Sequence, residues 1–142
     1  MKILVDLSVF LDVIQKNNAH YENSSAVLSK VLMREIDGVL TGNSLAAIFY
    51  AVSKFSDTQR ANDMIDWFLA NFEVASVDKS VFISARNSDI QDFEDAVTAF
   101  SAEFSECDFI ISRNLRNFGN APITVLTPEE LLNQVQKEQG KS

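Results

Sequence analysis

The segment KILV, from Lys2 to Val5, is a short apolar run that ends at Asp6. A buried strand there delivers a carboxylate at its C-terminal tip. Further along, Asp92, Glu94 and Asp95 open a helical stretch. Positions i and i+3 are neighbours on a helix, so Asp92 and Asp95 share a flank while Glu94 points elsewhere. Each group alone has a plain structural reading: an Asp after a strand caps a helix, and acids in a first turn favour the helix dipole. Together they can converge on one divalent cation, with carboxylate oxygens at roughly 2.0–2.2 Å. A cation so held activates water and stabilises the charge on a phosphodiester under in-line attack.

The elements that must position these acids follow from the apolar pattern. Residues 2–5 form the first strand, and a helix over 8–15 follows, broken at Asn17 and Asn18. Asn23 or Ser24 caps a second helix reaching Ile36, with Val27, Leu28, Val31 and Leu32 on one side; Gly38 stops it. Residues 38–41 (GVLT) form a second strand, and Asn43 or Ser44 caps a helix striped with Leu45, Ile48, Phe49 and Val52. A helix over 58–71 turns Met64, Ile65, Phe68 and Leu69 inward. A third strand covers 73–77, and Asp78 caps a short helix through Arg86. The helix over 92–106 places Phe93, Val97, Phe100 and Phe104 on one face; strands follow at 108–112 and 123–126. Thr127, Pro128, Glu129 and Glu130 spell a capping box with Pro at the first helical position, the start of the last helix. The tail from about 138 is polar and frays.

Strands alternating with helices predict a three-layer α/β fold, a mostly parallel five-stranded sheet flanked by helices. At 142 residues the whole chain, 1–142, is one domain. Open parallel sheets bind ligands beyond the C-terminal ends of their strands, where Asp6 and the segment 112–114 both fall.

Composition narrows the function classes. A hydrophobic share of 46% and eleven Phe residues describe a globular chain with a substantial core. No apolar run approaches the roughly 18–20 residues of a membrane span, and residues 1–14 are interrupted by Asp6 and Asp12, unlike a signal peptide. The single cysteine, Cys107, excludes an internal disulfide, as in a reducing, cytoplasmic setting. One Cys and one His cannot build a four-ligand zinc site, so any metal is held by oxygen, which points to Mg²⁺ or Mn²⁺. A net charge of −8 argues against broad non-specific nucleic-acid binding but leaves room for a local basic track among the twelve basic residues.

Four segments carry a resemblance to a known family. KILVDLSVFLD, from Lys2 to Asp12, resembles the first strand and catalytic Asp of PIN domains, a pattern written I-x-D-x-N-x-x-L-D. DFEDA, from Asp92 to Ala96, is similar to that family's central helix motif, where the Asp before Ala ligates metal. CDFIISRNLRNF, from Cys107 to Phe118, resembles its later strand and loop, C-D-x-I-x-T-R-N-x-x-D-F, and PITVLTPEEL, from Pro122 to Leu131, its last strand and helix. The four occur in the family's order and spacing over nearly the whole chain. The resemblance implies a metal-dependent endoribonuclease, with bacterial relatives serving as toxins that a cognate antitoxin holds inactive. It makes Asp6 and Asp95 the Mg²⁺ or Mn²⁺ ligands, sets Asp92 beside them, and places Asn114 on the metal water or the scissile phosphate. Ser8, Ser112, Arg113, Arg116 and Asn117 become the substrate-contacting residues, and RNA the substrate.

The sequence departs from that pattern at four places. The usual Glu on the helix after the second strand is Ala47, and the late Asp before Phe118 is Asn117. Ser8 stands for the usual Asn and Ser112 for the usual Thr. Losing two carboxylates lowers the negative charge that fixes a cation. Asp12, a turn and a half along the first helix, either compensates or is a solvated helix residue. Arg86, Arg113 and Arg116 are the basic residues placed to meet a phosphate backbone. Asp108 lies at the wrong end of its strand for the site, Cys107 reads as a small core residue, and His20 as a solvated loop residue. Phe49, Tyr50, Trp67 and Phe68 read as core or, if the third and fourth helices form a clip, as a homodimer contact.

Two readings stand side by side: a ribonuclease weakened by its altered site, and a catalytically inactive domain of the same kind that binds RNA or a protein. A phospho-accepting receiver fails because it needs an acidic pair after the first strand, where Leu7 and Ser8 follow Asp6. A D-x-D phosphatase fails for the same reason.

Overall fold

Consecutive residues of the central strands enter two different cores, and that alternation organises the molecule. The computed structural model describes residues 1–17 and 19–140. Strands β1 (Lys2–Val5), β2 (Asp37–Leu40), β3 (Glu73–Val74), β4 (Phe109–Ile111) and β5 (Thr124–Leu126) form one sheet in the order β3-β2-β1-β4-β5. Every pairing is parallel, with Ile3 opposite Gly38 and Phe109, and Val5 opposite Ile111. The mostly parallel sheet expected from the sequence is thus parallel throughout.

Ile3, Val5, Leu40 and Ile111 join one core, whereas Leu4, Val39 and Ile110 join the other, as the two-residue period of a strand requires. The first core is covered by α1 (Leu7–Ile14), α2 (Tyr21–Leu32), α3 (Gly42–Phe55), α4 (Thr58–Asn71) and α7 (Pro128–Gln139). The second is covered by α5 (Lys79–Arg86) and α6 (Phe93–Phe104). Helices on both faces leave the central strands without a wet side, which is why they read as apolar runs rather than alternating ones. Among the described residues no helix is long and apolar enough to cross a membrane.

The helix that begins at the tip of β1 is held by aromatic packing. Phe10 of α1 is fully buried and meets Phe68 edge-on at 5.0 Å and Phe72 at 5.4 Å. Such ring pairs contribute about 0.5–1.5 kcal/mol beyond their buried area. They tie α1 to α4, and so fix the direction in which α1 leaves Asp6.

Element boundaries move from the expected ones at several places. Helix α2 starts at Tyr21, so Asn23 and Ser24 lie inside it, and it ends at Leu32 rather than Ile36. Gly38 lies in β2 as expected, but α2 ends at Leu32, well before it; the residue is packed so closely that a Cβ there would lie 2.6 Å from the Phe72 ring. Helix α3 is capped by the Thr41 side chain, which accepts the Ser44 N–H, rather than by Asn43 or Ser44. Strand β3 stops at Val74, three residues early. The Asp78 cap and the capping box of Thr127 and Glu130 are formed as expected.

Candidate active site

Strand pairing brings the first acid to the end of the sheet. Val5 and Ile111 are in register on adjacent parallel strands, so Asp6 and Ser112 leave the sheet side by side. The Asp6 N–H donates to the Ile111 carbonyl at 2.9 Å, and the Ser112 N–H to the Leu126 carbonyl at 3.0 Å. The carboxylate of Asp6 is then held at one oxygen: Oδ2 accepts the hydroxyls of Ser8 and Ser112, both at 2.9 Å. Its Oδ1 takes no hydrogen bond among the described residues.

Both serines are themselves fixed. The Asn114 N–H donates to Ser112 Oγ at 3.0 Å, and the Arg113 N–H donates to Ser8 Oγ at 3.3 Å. A hydroxyl whose lone pair is occupied by a backbone N–H directs its own proton elsewhere, here to Asp6. Ser8 and Ser112, expected as substrate contacts, here hold the Asp6 carboxylate. Asn114 enters the network through its backbone, with its residue exposed.

The second acid comes from the other face of the sheet. Asp92 is the N-cap of α6, not a residue of its first turn, and its Oδ1 accepts the Asp95 N–H at 2.9 Å. Asp92 and Asp95 thus meet by capping rather than as neighbours along one helical flank. The Asp95 carboxyl is half-buried and pushed up to about 6. Burial is the main cause, followed by the charges of Asp92, Asp6 and Glu94. Asp6 and Asp95 therefore feel each other across the end of the sheet, and neither is ion-paired with a basic side chain among the described residues.

Asp92 and Asp95 line a cleft of about 370 Å³ together with Arg116 and Asn117. The latter two come from the 3₁₀ turn Leu115–Phe118, which packs against α6. Arg116 is the one predicted phosphate-contacting Arg among the residues lining this cleft. Arg86 is exposed at the end of α5, and Ala47 is a half-buried α3 residue outside the cleft lining. Among the described residues no three His, Cys, Asp or Glu side chains gather closely enough to hold a metal ion. A cation here would rest on two carboxylates and neutral oxygens.

Arg113 goes elsewhere. Its Nε lies 2.8 Å from Asp12 Oδ2, without the alignment of a hydrogen bond, so the contact is an ion pair. Asp12 is only 1% exposed and also accepts the Ser24 hydroxyl at 2.8 Å. It is neither a solvated helix residue nor a free third acid. One signal pointed to this: Asp12 sits three residues beyond Val9, on the buried stripe of α1, where a charge needs a partner.

The other singled-out residues lie outside the lining of this cleft. Asp108 Oδ2 accepts the Lys2 N–H at 2.8 Å, at the opposite end of the sheet. Cys107 is buried, and desolvation pushes its thiol up to about 11. His20 precedes α2 and is exposed. Phe68 is core, Phe49 and Trp67 are half-buried, and Tyr50 is exposed.

An all-parallel sheet covered on both faces, with carboxylates and small hydroxyls gathered where its strands end, defines a class of α/β proteins whose sites lie at the strand tips. Within that class the assignment is direct: the family model for the PIN domain matches residues 2–116, and the chain belongs to that family. No curated protein sequence matches the chain. Solved structures share its fold at low identity. One is VapBC2 from Rickettsia felis bound to a DNA fragment from its promoter, at 17% identity and a TM-score of 0.62, covering 89% of this chain and 98% of that one. A toxin–antitoxin complex from Klebsiella pneumoniae gives 15% identity and a TM-score of 0.67, covering 89% and 97%. VapBC-1 from nontypeable Haemophilus influenzae gives 10% identity and a TM-score of 0.67, covering 91% and 99%. The chain is thus a PIN domain with the fold found in VapBC toxin–antitoxin complexes.

Proposed function

We propose that this PIN domain is a Mg²⁺- or Mn²⁺-dependent endoribonuclease of weakened activity, with Asp6 and Asp95 as its cation ligands. The observation that carries the reading is the half-buried Asp95 carboxyl, raised to about 6 by burial and by the neighbouring charges of Asp92 and Asp6, with no ion-pair partner among the described residues. Carboxylates left in mutual repulsion at the end of a parallel sheet fit a site that a cation would neutralise. The donor set is all oxygen, which suits Mg²⁺ or Mn²⁺. Such a cation supplies Lewis acidity for hydrolysis of a phosphodiester.

The chain's own residues prepare that chemistry. Ser8 and Ser112 hold Asp6 through Oδ2 and leave Oδ1 for the cation. Asn117 offers a neutral oxygen in the cleft, and Arg116 a charge for the RNA backbone. With Ala47 and Asn117 where the family has acids, the cation is held by less charge, which accounts for weakened turnover.

The test is calorimetric titration of Mn²⁺ into the wild type, Asp6→Asn and Asp95→Asn at neutral pH and low salt, followed by RNA cleavage. Binding by the wild type and its loss in both variants supports the reading.

A second reading has its own observation. An apolar groove of about 870 Å³ runs between α1, α2, α3 and α4, walled by Phe10, Phe55, Met64, Trp67 and Phe68 with Lys16 and Arg60 alongside. It suits the apolar face of a protein segment, such as an antitoxin's, as in a PIN domain that acts by binding. Absence of Mn²⁺ binding by the wild type would favour this reading, and Trp67 fluorescence would then report a partner.

A further inference from the structure

Ser8 and Asp12 stand four residues apart on α1 and so share one face of it. Arg113 is tied to that face twice, by its main-chain N–H to Ser8 Oγ at 3.3 Å and by its guanidinium to Asp12 at 2.8 Å. The loop after β4 is therefore clamped to the helix after β1 at two points one turn apart. Between the clamps and Asp6 stand Ser8 and Ser112, whose hydroxyls both donate to Asp6 Oδ2.

Stability alone is a poor explanation for the Asp12–Arg113 pair. A buried ion pair recovers its desolvation cost only when its remaining polar atoms are satisfied. Here Asp12 Oδ1 is buried with no hydrogen-bond partner. An apolar pair of similar volume would hold α1 against the loop as well or better. What an apolar pair would not do is dictate where the Arg113 backbone sits, and so where the Ser8 lone pair and proton point.

We propose that Asp12 and Arg113 are positioning residues: a buried strut that fixes the loop 112–114 on α1 and thereby orients Asp6, through Ser8 and Ser112, for its cation. This rests on the reading of Asp6 and Asp95 as a cation site.

The experiment compares Arg113→Gln, Arg113→Lys and Asp12→Asn with the wild type. Mn²⁺ affinity is measured by calorimetry, and amide hydrogen exchange in the metal-free protein. Arg113→Gln removes a positive charge, so coulombic attraction alone would tighten Mn²⁺ binding. The strut predicts the reverse: weakening by about 10-fold or more, the usual cost of losing a group that orients a ligand. The amides of Arg113 and Asn114 exchange faster in the same variant, while those of α5 keep their wild-type rates. Arg113→Lys keeps the charge and restores most of the affinity. If Asp12→Asn does not fold, the Arg113 variants carry the test, since that side chain is 30% exposed.

Tighter Mn²⁺ binding by Arg113→Gln would mean that Arg113 acts only through its charge, or that Asp12 is itself a ligand freed by the change, and either would overturn the strut. Unchanged affinity and exchange would overturn it as well. A wild type that binds no Mn²⁺ overturns the cation reading and this role with it. A wild type that binds while Arg113→Gln binds equally well sinks the strut alone.

Discussion

Asp92 caps the helix that carries Asp95, its Oδ1 accepting the Asp95 N–H at 2.9 Å. One carboxylate thus holds the backbone of the other in place while its charge raises the other's affinity for a proton. The two roles separate by substitution. Asp92→Asn keeps a side-chain oxygen for the cap and removes the charge, so the melting temperature stays close to wild type and the Asp95 titration moves down. Asp92→Ala loses the cap, at about 1 kcal/mol, or a fall of roughly 4 °C in Tm. Thermal melts check the first effect and carboxyl NMR the second; an equal loss of stability in both variants would show that the cap hydrogen bond is not what Asp92 supplies.

The raised Asp95 carboxyl makes the metal-free protein sensitive to pH in a defined direction. Its folded value of about 6 lies above the ordinary 3.8, so the folded chain holds this proton more tightly than the unfolded one. The stabilising share of this group is full below about pH 4 and is lost as pH rises through 6. Asp95→Asn should remove that slope and leave the rest of the pH profile unchanged. Denaturant titrations of both proteins in EDTA between pH 4 and 7.5 make the comparison, and parallel profiles would contradict the assignment.

Asn117 lines the cleft beside Asp95, so Asn117→Asp places a carboxylate where the family usually has one. A unit charge a few ångströms from a divalent cation gains about 1.5 kcal/mol even at the dielectric of water, or roughly a tenfold rise in Mn²⁺ affinity. The same change pushes the Asp95 carboxyl further up. Calorimetry reads the affinity, and an unaltered Kd would separate Asn117 from the cation.

Gly38 tolerates no side chain. A Cβ would sit 2.6 Å and 2.8 Å from the Phe72 ring and 2.8 Å from Val31, all within a packed core. Gly38→Ala should therefore cost about 1–3 kcal/mol through overpacking. Urea unfolding measures it, and a neutral or stabilised variant would show that Phe72 can move aside.

The strand tips were legible because buried parallel strands are short apolar runs, and Asp6 closes one of them. The capping box of α7 was legible because all its atoms lie within four residues. Asp92 was misplaced by one position, since an N-cap and a first-turn acid look alike in a sequence. The apolar pattern put Gly38 in the second strand but could not show why a glycine stands there: the reason is the Phe72 ring above it, thirty-four residues away.

By itself the sequence determined the alternation of strands and helices, the family pattern and the two acids, because each depends on local spacing and residue type. Only the tertiary structure decided the partners of those residues. The register of Val5 with Ile111 sets Ser112 against Asp6, and the packing of α1 on α2 and the loop after β4 sets Arg113 against Asp12. Both contacts join positions more than a hundred residues apart, and no local propensity specifies them. They follow from the one register and helix packing that bury both apolar faces of the sheet.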